Sequence, residues 1–313
     1  MNGVNMASRP SESEIVDLFA NSDPEQVWIK MSEIIARINP NYDNHLIHTV
    51  YIDVISLFHG EYPGYSSIKT LYHDMPHTLD VLMCAARLMN GLHLSGMKFS
   101  DDEISLILIA VLMHDIGYAQ LQGEESGTGA QYTQTHVKRG ITFMQHYLEK
   151  RHLPQDFSIK LAPMIFITDP ALVIEDIDFP DDRTRLLGQI VVTADLTGQM
   201  ADRAYLEKLL FLYLEFKEAH FGNFQSIHEM LRQTKKFYEI TREKLDGSFG
   251  GLYIQLALHF KEAFGVEENF YLESIEKNID YLEKVIVNNE TEYLTMLKRG
   301  GIVEKFNSIT TKN

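Results

Sequence analysis

Five side chains have the types and spacing of a metal site: His73, His77, His114, Asp115 and Asp195. His114 and Asp115 are adjacent, and they close the almost wholly apolar run 104–113. Such a run demands burial, so the pair falls at the edge of a core, where unpartnered polar groups are costly. Neutral imidazoles and carboxylates form a mixed nitrogen and oxygen donor set, suited to Fe, Mn, Co, Ni or Zn, with Mg as a further candidate. Four protein ligands would leave two octahedral positions for water or substrate. A divalent ion so held can lower the pKa of water and polarise a phosphoryl oxygen. Asp115 has two oxygens and can bridge to a second ion, at the roughly 3.5–4 Å separation of two-metal sites.

These residues need helices to bring them together. Asp74 is a good N-cap, and Pro76 is tolerated in a first turn. His77, Val81, Cys84 and Leu88 then share one face at spacings of four, three and four. His77 therefore points inward, with His73 just before the helix. Ser100 to Glu103 has the form of a capping box opening the helix that ends at His114, with Gly117 placed to stop it. Leu187, Val191 and Asp195 align at i, i+4 and i+8, which puts a carboxylate on a core-facing stripe.

Other helices are expected at 12–19, 25–38, 42–58, 132–151, 156–167 and 182–200. Four or five more follow to residue 299, broken near Phe221-Gly222-Asn223, Asp246-Gly247 and Gly265. The loop 120–134 is long for a compact domain, and reads as a gate over the site. No strand pair or internal repeat is visible. The expected class is all-α, a multi-helix bundle. It divides into an N-terminal extension (1–40), a metal-binding core (41–201), C-terminal helices packed on that core (202–300) and a frayed tail (301–313).

Composition narrows the function. An apolar fraction of 45% in 313 residues fills a substantial core. The formal charge of −16 argues against nucleic-acid polymers and anionic membranes, which both need a positive surface. A small anionic ligand remains open, because a metal supplies local positive charge. The one cysteine, Cys84, sits in an apolar stretch and reads as core; a chain without an internal disulfide suits a reducing cytosol. The N-terminus has no apolar segment of a signal peptide, and no run reaches membrane-spanning length. A cytoplasmic location is the expectation.

The blocks Tyr72-His73-x-x-x-His77-x-x-Asp80-Val81, Met113-His114-Asp115-Ile116-Gly117 and Thr193-Ala194-Asp195 resemble the HD superfamily of metal-dependent phosphohydrolases. The first block is similar to the signature of cyclic-nucleotide phosphodiesterases. The resemblance covers roughly residues 72–200 and implies an HD-type helical bundle. It makes His77, His114, Asp115 and Asp195 the ligands of a first metal, and His73 the general acid that protonates the leaving oxygen; two-metal members carry further histidines after the pair, which makes His136 the candidate ligand for a second ion. Three departures stand out. Tyr118 occupies a position that is often His or Lys, Asp74 one that is usually Asn in the phosphodiesterase branch, and the purine-binding Gln of that branch has no secure counterpart, Gln255 being the nearest guess.

The resemblance implies hydrolysis of a nucleotide phosphate ester, a phosphodiester in the first instance, by a metal-activated water. One alternative is a nucleotide monophosphatase or an alarmone hydrolase. The other is a regulatory nucleotide-binding module with reduced activity. The partner in each case is a small phosphorylated molecule. Asp169, before Pro170, is a further candidate near a second ion. The aromatics Phe211, Tyr213, Phe216, Phe221 and Phe224 read either as packing or as one wall that stacks a base. Lys235, Lys236 and Arg242 read as a solvated face.

Overall fold

The computed structural model describes residues 9–123 and 126–311. Among them are fourteen α-helices and no β-strand; one isolated bridge joins Tyr65 and Leu121. The helices are α1 (Glu12–Leu18), α2 (Pro24–Ile38), α3 (His45–His59), α4 (Met75–Leu94), α5 (Asp101–Met113), α6 (His136–Lys150) and α7 (Gln155–Phe166). Then come α8 (Asp182–Ala201), α9 (Tyr205–Glu218), α10 (Ile227–Asp246), α11 (Leu256–Phe264), α12 (Phe270–Tyr281), α13 (Tyr293–Met296) and α14 (Ile302–Thr310). None of the described helices is long and apolar enough to cross a membrane.

Three helices set the centre. α5 is opened by a complete capping box: the Ser100 hydroxyl accepts from the Glu103 N–H, and the Glu103 carboxylate accepts from the Ser100 N–H. Every residue from Ile104 to Met113 is buried, so this helix is apolar all round because it is enclosed all round. It packs against α3, α4, α7 and α8. α4 lies along α8 and also contacts α2 and α11. A Cβ at Gly198 would stand 3.3 Å from the Asp80 carbonyl oxygen, which shows how closely α4 and α8 approach. Cys84 is a fully buried core residue.

Gly117 does not cap α5. The chain leaves α5 through a 3₁₀ turn, Ile116–Tyr118, and Gly117 is absent from the residues with positive φ. Its lack of a side chain serves packing instead: a Cβ there would fall 1.8 Å from the His136 carbonyl oxygen. Arg139 fastens the same turn to α6, donating from Nε to the Gly117 carbonyl at 2.8 Å and from Nη2 to that of Ala119 at 2.7 Å.

One apolar core runs from Val27 to Phe306 and includes residues on both sides of 201 and 202. Residues 301–311 are not frayed. Ile302 and Phe306, four apart, are buried, and α14 packs on α9. The buried Glu207 helps hold this end, its Oε1 accepting from the N–H groups of Lys298 and Arg299 at 3.1 and 3.2 Å. The helix escapes a sequence reading because it is short and has no side-chain N-cap. Residues 312 and 313 lie outside the described residues.

Candidate metal centre

His77 comes from the first turn of α4, where Asp74 caps the helix by accepting from the His77 N–H at 3.0 Å. His114 and Asp115 follow the last residue of α5, and Asp195 lies in α8. All four side chains are buried. The two Nε2 atoms of His77 and His114 are 3.3 Å apart. Asp115 Oδ2 lies 3.3 Å from His77 Nε2 and 3.1 Å from His114 Nε2. Asp195 Oδ1 lies 3.5 and 3.7 Å from the same two nitrogens. Donors bound to one ion at about 2.1 Å are at most about 4.2 Å apart, and each of these separations falls within that limit. His77, His114 and Asp115 form a buried group that could hold a metal ion.

Two further observations fit the group to an ion. His114 Nδ1 lies 2.7 Å from the Val111 carbonyl oxygen. A carbonyl only accepts, so Nδ1 carries a proton and Nε2 is the nitrogen turned towards the carboxylates. This is the arrangement by which metal-ligating histidines are oriented. In addition, Asp115 Oδ2 is buried and has no hydrogen-bond partner, a costly arrangement unless a cation completes it. The carboxylates draw positive charge into the cluster. Burial opposes it, but the facing carboxylates of Asp115 and Asp195 lift the His77 imidazole up to about 10. His114 is also raised, burial being outweighed by Asp115. Asp115 lies well below the usual carboxylate range, because His114 and His73 outweigh its burial.

His136, the first residue of α6, is brought to the other oxygen of the same carboxylate, with Nε2 3.4 Å from Asp115 Oδ1. Its Nδ1 donates to the Thr133 carbonyl at 2.7 Å, repeating the device at His114. Tyr118, the residue that departs from the superfamily pattern, is fully buried and stacks against both His136 and His73, with ring centroids 4.5 and 4.8 Å away.

His73 stands outside the four-residue cluster. Its Nδ1 is 2.6 Å from Oε2 of Glu215, a buried residue of α9 that the sequence reading passed over. Glu215 Oε1 also accepts from the Tyr72 N–H at 2.6 Å and the His73 N–H at 3.4 Å. Burial pushes the His73 imidazole down, but Glu215 and Asp115 carry it above its ordinary value. A signal for Glu215 was present: it follows Glu207 and Phe211 at i+8 and i+4 on a buried stripe of α9, the pattern that marked Asp195. Lys208, also on α9, pairs with Asp202 and lies 3.9 Å from Asp80, one turn after His77.

Other candidates lie elsewhere. Asp169 caps its own turn, accepting from the Ala171 N–H at 3.0 Å. Gln255 packs its carbonyl against Gly91, fourteen residues from His77 and thus ~21 Å along α4. Phe211 is core. Phe216 and Phe224 stack at 6.0 Å, and Phe221 meets Phe216 edge-on. Lys235 pairs with Glu283, and Arg242 with Asp246 at 3.1 Å. The loop 120–134 is tied at its start and in its middle: the Gln120 carbonyl accepts from the Ser66 N–H at 2.9 Å, and Glu218 accepts from the N–H and hydroxyl of Thr128, each at 2.8 Å. Glu124 and Glu125 lie outside the described residues.

The fold and site define an all-α protein with a buried histidine and carboxylate cluster suited to a metal. A family model described as Npun_R2479-like matches residues 119–263, just under half of the chain. The match includes His136, Asp195 and Glu215 and begins after His114-Asp115. No curated protein matches the chain.

Proposed function

We propose that this protein is a metal-dependent phosphohydrolase acting on a phosphate ester, a phosphodiester in the first instance. The observation that carries the proposal is the convergence of Asp115 and Asp195 on His77 and His114, each carboxylate within 3.1–3.7 Å of both imidazole Nε2 atoms, beside a histidine held by a buried glutamate. When bound by these four residues, a divalent ion supplies Lewis acidity towards a phosphoryl oxygen and lowers the pKa of water. His136 and Asp115 Oδ1 are the residues on hand for a second ion.

The chain's own part is positioning and proton transfer. Glu215 occupies His73 Nδ1 and favours the protonated imidazole, which leaves Nε2–H to protonate the departing alkoxide. Such a positioned acid contributes about 10²–10⁴ in rate. Tyr118 packs on the ring and fixes its plane. A diester is favoured over a monoester because this acid is present. The resemblance to cyclic-nucleotide phosphodiesterases makes nucleotides the first esters to screen.

Metal analysis of the purified protein and two variants test the reading. His77→Ala should lose both metal and activity. His73→Ala should keep the metal and lose about 10²–10⁴ in turnover, with a smaller loss on bis-p-nitrophenyl phosphate, whose leaving group needs little protonation. Metal loss from His73→Ala would overturn the assignment of roles. Nucleotide binding without hydrolysis by metal-loaded protein would replace the enzyme with a binding module.

A further inference from the structure

A cleft of ≈390 Å³ lies between α8, α9 and α10 with Tyr72 in its lining, within the range of small-molecule sites, and the Tyr72 ring is 6.1 Å from that of His77. Three of its lining residues adjoin functional ones in the chain. Tyr72 precedes His73, Phe216 follows Glu215, and Gln199 lies one turn beyond Asp195 on α8. Phe237 and Ile240 line both this cleft and a neighbouring hollow of ≈230 Å³. They are 39% and 45% exposed. Two large apolar side chains are thus left open to water inside one concavity.

The walls are mainly carbon, from residues such as Leu209, Leu212, Phe224 and Met230. Six lining residues carry polar side-chain groups, Tyr72, Gln199, Tyr205, Gln233, Thr234 and Lys236, and the Thr234 hydroxyl is already committed to the Met230 carbonyl at 3.0 Å. The Tyr72 hydroxyl donates to Gln199 Oε1 at 2.8 Å, which leaves the Gln199 amide nitrogen as a donor. Lys236 is a second donor. A purine or pyrimidine presents donors and acceptors around most of its edge. Set among these leucines and phenylalanines, most would be unpaired, which is unfavourable.

We infer that this cleft binds an apolar organic group, an aryl ring or a compact alkyl group carrying a hydrogen-bond acceptor next to its phosphate, and that it selects such esters over nucleotides. The inference rests on the hydrolase reading for its substrate but not for its binding. Gln199 and Lys236 meet the acceptor, and Phe237 and Ile240 close on the carbon skeleton.

A fluorescence titration of the full chain with N-phenyl-1-naphthylamine tests this without turnover. Saturable binding is expected, with displacement by 1-naphthyl phosphonate at concentrations at least tenfold below those needed with AMP. Phe237→Gln and Ile240→Gln, at exposed positions, should weaken probe binding at least tenfold with unchanged melting temperatures. Displacement by AMP as readily as by the naphthyl compound, unaltered binding in both variants, or no saturable binding would each overturn the inference. A protein that binds the probe as expected but hydrolyses no ester when loaded with metal would keep the cleft and refute the hydrolase.

Discussion

Replacing Glu215 with Gln isolates the charge that acts on His73. The carboxylate has two tasks. Oε1 accepts from the N–H groups of Tyr72 and His73, and Oε2 meets His73 Nδ1 at 2.6 Å. Glutamine can keep the first task with its amide oxygen. It then turns an NH₂ towards Nδ1 and removes the negative charge. A hydrogen bond to a charged group is worth about 1.5–3 kcal/mol, and one pKa unit corresponds to about 1.4 kcal/mol. The His73 imidazole should therefore titrate about one to two pH units lower. The sign follows from its raised value in the native protein: the acid is competent below its pKa, and activity falls as pH rises through it. In Glu215→Gln that fall should move to lower pH, with metal content unchanged. Nitrogen NMR of His73 reads the shift directly, and a pH–rate profile on an ester with an alkoxide leaving group reads its consequence. An unmoved His73 titration in a protein that retains its metal would refute the pairing argument.

Two other outcomes are expected. Gly117→Ala should cost about 1–3 kcal/mol, the range for overpacking, because its methyl would overlap the His136 carbonyl; a thermal melt equal to that of the parent protein would show that the turn and α6 can separate freely. His259 is held down to about 3 by burial, with Arg87 and Arg37 adding to it, so the unfolded chain binds the extra proton between about pH 3 and 6.5. Its stabilising contribution is complete above about 6.5 and falls by up to about 1.4 kcal/mol per unit as pH drops. Urea unfolding of wild type and His259→Gln at pH 7 and pH 5 should show the steeper loss in wild type, and equal losses would remove His259 as a source of acid lability.

The parts of the site that follow local rules were visible in the sequence. Ser100 and Glu103 announced α5, Asp74 announced α4, and the register of Asp195 on an apolar stripe placed it inward. Residues whose role depends on contact across the fold were not. Glu215 meets His73 from 142 positions away. Gly117 looks like a helix stop, and only the approach of α6 reveals why it lacks a side chain. α14 has neither a side-chain cap nor length, so its helicity comes from burying Ile302 and Phe306. This is tertiary packing acting where intrinsic propensity is weak.

α9 has a consequence of its own. Along it, Lys208 reaches Asp202 and Asp80, Glu215 holds His73, and Glu218 holds Thr128 of the 120–134 loop. Its other neighbours include α10 and α14. One rod is thus geared to His73 and to a long loop at once. A push on α14 that slides this rod along its axis would move both together, so the posture of the His73 ring and that of the loop share a single mechanical input.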